Sequence, residues 1–515
     1  MPIRYFGMHS FAALDIQKLP RDVDALLGVI TDLHTQYSTI LDSLHQQLQN
    51  LRRMHFGATS EKLSGQPELF HETQELPVPP QEPVTITYTR QRRGRPSLPK
   101  DLPRERVNYD LSDAEKAEFD ALEKIGEEVC ETLEYTPAKL IVIEHVRAKY
   151  ACRKDGESTI RTAFAQPSPL PKTNAGAGLL AQILVSTFAD HLPLNRQEMI
   201  FKRHGVHLPR STLCEWKLAC GELLAVLRAP LIAHTLNAPR LHTDDTTMPL
   251  IEGGRGCTKT ARLWGYLGAG ARQNNAGEWV EHAPSVVFEF TESRESKHPI
   301  KFLKDYQGYL QADAYSGYDA LYSSGHIIEV GCWAHARRKF FEIAKTQKTP
   351  GLAAQAVAWI ATLYRIESAI RGRPPDEKLA VRQAESVPVL SDFRRWLEGH
   401  YPKLLPQGPL GLAFGYALNH WRALTRYTEN GVLVPDNNVL ESAIRPIAMG
   451  RRAYLFTASE RGGHVAATLY SLVGTCKLNR IEPYAYLKDV LQRLPSHPVN
   501  RLAELLPFKW KPAIP

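Results

Sequence analysis

From residue 239 onward the chain changes from helical spacing to short strands, and that change restricts the fold more than any other feature. Residues 240–250, 261–268, 285–290 and 308–313 are each rich in β-branched, aromatic or leucine side chains and bounded by Gly, Asn, Pro or Ser. Residues 300–306 read as a helix between the third and fourth of these, and a fifth strand, 326–330, runs into a helix over 334–345. Three or four strands in succession, then strands alternating with helices, predict an α/β domain with a mixed sheet. Residues 350–430 are wholly helical in pattern (352–371, 381–400, 410–430) and read as an insertion. Helical spacing resumes at 437 and is interrupted by a Gly/Ser turn at 459–463.

Upstream of the change, Val23, Leu26, Leu27, Ile30, Leu33, Tyr37, Ile40, Leu41, Leu44, Leu48 and Leu51 predict one amphipathic helix over 21–53. It suits either a helix from another subunit or its own domain. Residues 65–90 are Pro/Glu-rich and read as an extended linker. Residues 90–106 then carry seven Arg/Lys against two acids, most of the excess in a chain of net charge +8. Such a segment points to a polyanion or serves as a basic tether. Its core, Arg92-Arg93-Gly94-Arg95-Pro96, suits a narrow A·T minor groove. Around Gly205 and Ser211 a helix-turn-helix is expected, presenting Arg210, Thr212, Glu215 and Lys217 to DNA; an ordinary packed helix pair reads the same way.

At 515 residues the chain has room for about three domains of roughly 100–200 residues each. No run approaches the ~18 apolar residues of a membrane helix, and no apolar segment with a small-residue cleavage site opens the chain. The seven cysteines are odd in number and form no C-x-x-C pair, which fits a reducing cytoplasm better than a disulfide framework.

Three carboxylates stand out. Asp244 and Asp313 lie at or near strand ends, where an α/β sheet presents functional side chains to a crevice. Glu441 sits beside the apolar face formed by Leu440, Ile444 and Ile447. Carboxylates converging from two strands and a helix can hold two Mg²⁺ ions about 3.5–4 Å apart, without Cys or His. On spacing alone the same residues also serve as a turn cap (Asp244 or Asp245), an Asx-turn (Asp313) and an ion-pair partner of Arg445 (Glu441).

The chain resembles the insertion-sequence 66 family of bacterial transposases. The matching strings are His55-Phe56-Gly57 with Ser60-Glu61-Lys62-Leu63, Arg93-Gly94-Arg95-Pro96, residues 189–197, 244–246, 313–318, Cys332-Trp333-Ala334-His335-Ala336-Arg337-Arg338-Lys339-Phe340, and 436–450. The resemblance implies a multidomain α and α/β chain. Helical N-terminal regions for DNA binding and oligomerisation precede a ribonuclease H-like catalytic domain with a helical insertion before its glutamate. It places the catalytic and Mg²⁺-binding Asp-Asp-Glu set on Asp244, Asp313 and Glu441, with Mn²⁺ as a substitute. Here Asp244-Asp245-Thr246 stands where the family usually has Asp-Glu-Thr. Neighbouring strand residues face opposite sides, and Asp244 is chosen. His335, Arg337, Arg338, Lys339, Arg445, Arg451, Arg452 and Tyr454 become expected DNA contacts beside Arg92, Arg93, Arg95, Arg210 and Lys217. Cys332, at C-x-x-H spacing from His335, is expected to be packed, with zinc on that pair as the alternative, and a solvated basic helix face is the alternative for Arg337, Arg338 and Lys339.

The expected organisation is a coiled-coil-like region (1–64), a Pro-rich and basic linker (65–106), a degenerate zinc-binding-like region (107–165) and a helix-turn-helix-like region (170–236). The catalytic domain follows in two parts (238–345 and 431–490) around the insertion (346–430), and a tail (491–515) ends the chain. The resemblance also implies double-stranded DNA as partner, a homo-oligomer on paired ends, accessory proteins from the same element, and a cytoplasmic location. Family members carry two Cys-x-x-Cys pairs after the basic segment, whereas this chain keeps Cys152 and the offset Cys130. No zinc is therefore expected. The rival expectations are a DNA-binding regulator descended from a transposase, and a nuclease that cuts without joining.

Overall fold

A computed structural model describes residues 168–512 except 172, 252–257 and 348, the hairpin Lys149–Lys154 with Glu157–Thr162, and isolated positions between 22 and 31 and at 140 and 143. The chain divides into two compact units, Gly65–Ala148 and the remainder. Apart from 140 and 143, every described residue belongs to the second. Of the helix expected over 21–53, Val23, Asp24, Ala25, Leu27, Gly28 and Thr31 are helical, with Asp22 accepting the Ala25 N–H at their start. Arg92, Arg93 and Arg95 lie outside the described residues.

Five strands form the central sheet: β1 (Arg240–Ile251), β2 (Thr258–Ala269), β3 (Ser285–Thr291), β4 (Gly308–Gln311) and β5 (Ile327–Val330). Their order is β3-β2-β1-β4-β5. The first three are antiparallel, while β4 and β5 run parallel to β1, so the sheet is mixed. The helix expected over 300–306 lies earlier, at Lys297–Phe302, because Pro299 suits a first turn and Leu303 leaves helical geometry.

Alternation along β2 sends Leu263 and Leu267 to one face and Trp264 and Tyr266 to the other, all fully buried. A strand buried on both faces needs helices on both. The first face packs against α1 (Ala177–Phe188), α3 (Arg210–Leu224), α4 (Arg228–Leu236), α9 (Asn438–Tyr454) and α10 (Glu460–Leu478). The second packs against Leu303, Tyr306, Tyr318 and Leu321. Between α1 and α3, α2 (Leu194–Arg203) ends in a turn at Gly205, whose φ of 82° a residue with a side chain rarely adopts. The apolar run Arg210–Leu236 is long enough to cross a membrane by composition, but it turns Leu213, Trp216, Cys220, Leu224, Leu227 and Leu231 into this core.

Helix α10 also covers the sheet's outer edge. Ser471 and Thr475 accept the N–H groups of Phe288 (2.8 Å) and Val286 (3.1 Å), which a bare edge strand would leave open to other chains.

After β5, α5 (Trp333–Ala344) leads into the helical stretch, where α6 (Leu352–Ala369), α7 (Val387–His400) and α8 (Pro409–Asn419) enclose a separate core around Trp333, Phe340, Ile360, Phe393 and Phe414. The chain returns through α9 to the sheet, where Thr457 bridges Leu250 of β1. The last long helix, α11 (Pro483–Arg493), packs on the first core.

Candidate catalytic site

β4 pairs with β1 only at residues 240–242. Two residues later, at Asp244, β1 has lost its parallel neighbour but keeps its antiparallel one, Gly265. Asp244 is therefore mid-strand rather than at a strand end, yet it stands where the parallel pairing stops, the place where such sheets open a crevice. The expected strand 308–313 ends at Gln311, and Asp313 falls in the loop just beyond.

Glu441 arrives on the first turn of α9. A Cβ at Gly265 would lie 3.0 Å from Leu440 Cδ1 and 3.1 Å from the Phe288 ring. The missing side chain opposite Asp244 is what lets α9 lie against the hairpin.

Buried polar side chains hold these elements in register. Asn437 donates from Nδ2 to the Thr243 carbonyl (3.0 Å), and its Oδ1 meets His242 Nδ1 (2.9 Å). Arg240 Nε donates to His242 Nε2 (3.0 Å), so Nδ1 carries the proton that Asn437 accepts. Burial, then the Arg240 charge, pushes that imidazole down to about 3, which keeps this tautomer at any ordinary pH. Gln311 donates to the carbonyls of Gly331 (3.0 Å) and Val434 (2.9 Å). The residues just before Asp244, Asp313 and Glu441 are thus tied into one scaffold.

The charges are unevenly shared. Asp245 faces away from Asp244 and is saturated: Arg262 Nη1 and Arg294 Nε each donate to it at 2.8 Å, and its side chain is 3% exposed. Arg294 also reaches to 4.0 Å from Asp313 and stacks on Tyr315 at 4.3 Å. Asp244 accepts only the Asp245 N–H among the hydrogen bonds described, at 2.8 Å. Desolvation, then the charges of Asp313 and Glu441, pushes its carboxyl up to about 7. Glu441 Oε1 has no hydrogen-bond partner; Arg338 lies 3.6 Å from the other carboxylate oxygen, and the His335 imidazole, 3.8 Å from Oε1, is pushed below its usual range by desolvation. Carboxylate oxygens that crowd one another and have few short hydrogen bonds of their own are the hard donor set that Mg²⁺ or Mn²⁺ takes.

Of the expected DNA contacts, Arg338, Lys339, Arg445 and Arg452 are exposed, Arg337 lies over Phe341, and Lys339 over Tyr416. Arg451 instead turns inward to the Thr247 carbonyl and hydroxyl on β1. Tyr454 is half-buried, with its hydroxyl against that of Tyr470 (3.2 Å). Arg210 is exposed at the start of α3, whereas Lys217 is half-buried and its ammonium is pushed below its usual range by desolvation. Sequence reasoning missed Arg294, Gln311, His242 and Asn437. None has a periodic signal, although the Pro-Asp-Asn-Asn run before Glu441 marks the start of a helix.

Comparison with known proteins adds the following. Residues 172–465 match the family model described as Transposase IS66 family, and 471–508 match the IS66 C-terminal element. Residues 43–107 match a segment described as Transposase C of IS166 homeodomain. Three similar chains come from Sinorhizobium fredii. The uncharacterized protein y4hP is 37% identical over 446 residues, 83% of this chain and 79% of that one. The uncharacterized protein y4jD is 33% identical over 96% of this chain and 98% of its own. For the uncharacterized protein y4qI the figures are 33%, 79% and 76%.

One expectation is overturned. Residues 118–154 match the zinc-finger binding domain of transposase IS66, against the reading that no zinc is held. That reading counted Cys-x-x-Cys pairs at a fixed spacing, whereas zinc also accepts imidazole and carboxylate ligands. The matched segment contains His145 beside Cys130 and Cys152, and most of it lies outside the described residues.

Proposed function

This chain belongs to the IS66 family of transposases and is a DDE polynucleotidyl transferase, and on that premise we propose that it binds the ends of a bacterial mobile element, cuts them and joins them to target DNA. DNA binding itself follows from the transposase and zinc-finger segments. The observation that carries the finer reading is the carboxylate cluster, in which Asp244 is pushed up to about 7 beside Asp313 and Glu441 while Asp245 is neutralised.

In this reading Asp244, Asp313 and Glu441 hold the divalent metal that a DDE domain implies, and Asp245 does not. When bound, that metal activates water or a 3′-hydroxyl and stabilises the leaving phosphodiester oxygen. The Asn437 and Gln311 hydrogen bonds join the segments that carry the three carboxylates. Arg338, Lys339, Arg445 and Arg452 meet phosphates on the exposed sides of α5 and α9, with His335 beside Glu441. Arg210 on α3 and the Arg92, Arg93 and Arg95 segment contribute DNA contacts away from the chemistry. The protein acts as a homo-oligomer on paired ends in the bacterial cytoplasm, with accessory proteins of the same element as further partners.

The test is incubation of the purified chain with labelled element-end DNA and Mg²⁺, scoring nicking and strand transfer separately. Both products are expected. Nicking without joining would favour a nuclease, and binding without either would favour a regulator.

A further inference from the structure

We infer that Cys332, His335 and Glu441 form a metal site for a borderline transition-metal ion such as Zn²⁺, beside the hard-metal carboxylates. The start of α5 places Cys332 at its N-cap and His335 three residues on, a spacing that brings two side chains to one side of a helix. Glu441 comes to meet them from α9. The sulfur, one imidazole nitrogen and one carboxylate oxygen all lie within 4.8 Å of one another.

Two of these three atoms have no hydrogen-bond partner in the protein. His335 Nδ1 and Glu441 Oε1 are buried without a hydrogen-bond partner, 3.8 Å apart, and buried polar atoms seldom stay unpaired. A tetrahedral zinc with arms of about 2.0–2.3 Å has edges of about 3.3–3.8 Å, so small side-chain rotations bring both onto one ion. Cys332 Sγ accepts the Asn437 N–H (3.3 Å), the kind of outer contact that orients a ligand. Thiolate and imidazole select zinc over magnesium. Three protein ligands leave a fourth position for water.

The site rests on side-chain geometry, and only its consequence rests on the proposed function. An ion bound there occupies Glu441 Oε1, so zinc and the cleavage metal compete for one carboxylate.

The test uses the full chain, stripped by chelation and titrated with Co²⁺, reading thiolate-to-cobalt charge-transfer absorption. Cys332→Ser should remove a component that Cys152→Ser, the control for the zinc-finger segment, retains. His335→Gln should weaken that component's Co²⁺ affinity tenfold or more. Absorption and affinity unchanged in Cys332→Ser would overturn the site. If Cys332→Ser does not fold, His335→Gln decides, and unchanged affinity there overturns it equally. In Mg²⁺-dependent end cleavage, Zn²⁺ should inhibit the wild type at least tenfold more strongly than Cys332→Ser, and equal inhibition would overturn the competition. Absence of cleavage in the wild type would sink the proposed function and leave the Co²⁺ titration to judge the site.

Discussion

Two buried polar centres in this molecule are built on opposite rules. In the helical stretch between β5 and α9, Arg382 is 1% exposed and uses all its donors: two to Glu367 at 2.7 Å, the others to the carbonyls of Tyr427, Asn430 and Leu433. Nothing is left over for a ligand. Beside β1, Asp244 and Glu441 are short of partners, and like charges face one another. A satisfied centre specifies how helices pack. An unsatisfied one costs stability and persists where something else is to bind. Asp245 shows both rules at adjacent positions, since its two arginines make it resemble the Arg382 centre.

The largest contrast is expected in activity. Asp244→Asn, Asp313→Asn or Glu441→Gln should each lower cleavage of end DNA by about a thousandfold or more, since metal ligation supplies several kcal/mol of transition-state stabilisation. End binding should stay within a few-fold. Retained cleavage in any one of them would remove that residue from the set.

Arg382→Ala should do the reverse in kind. Stranding Glu367 and three carbonyls should cost about 3–5 kcal/mol in denaturant unfolding, as for other broken buried pairs. A loss below about 1 kcal/mol would mean that the helical core does not depend on this centre.

The comparison also has a pH signature. Asp244 has its folded carboxyl raised to about 7 from an ordinary 3.8. In metal-free protein the stability tied to its protonated form is present in full below about pH 4 and is lost as pH rises through about 7. Unfolding free energy of Asp244→Asn should therefore gain on wild type by a few kcal/mol between pH 4 and 7. Added Mg²⁺ should narrow the gap, and parallel profiles would show that Asp244 is not strained by its neighbours.

The smallest effect is expected at Asp245. Asp245→Asn weakens the bonds to Arg262 and Arg294 and should cost about 1–3 kcal/mol of stability, with cleavage within tenfold of wild type. A catalytically dead, stable Asp245→Asn protein would exchange the roles of the two aspartates.

Much of the sheet was legible beforehand because strand signals are local: β-branched and aromatic runs between turn residues mark β1 to β5 without reference to anything distant. The end of β4 was misplaced by two residues because its pairing stops with β5, which no local propensity records. The inward turn of Arg451 had no sequence signal either. It depends on Thr247, which lies 204 residues earlier.

The zinc reading failed for a related reason. Counting Cys-x-x-Cys pairs tests one ligand arrangement, whereas the match over 118–154 rests on the whole segment.

By itself the sequence determined the order of strands and helices, the identity of the family and the residue types available for chemistry, since all of these are written in neighbouring residues and recurring strings. Only the tertiary structure decided which acid is paired with arginines and which is crowded against other carboxylates. Arg262 and Arg294 reach Asp245 from β2 and from the loop after β3. Asn437 joins His242 across 195 residues, and the gap at Gly265 admits Leu440. Hydrogen bonds, charges and van der Waals contacts act over a few ångströms of space, and the chain brings those atoms together only by packing.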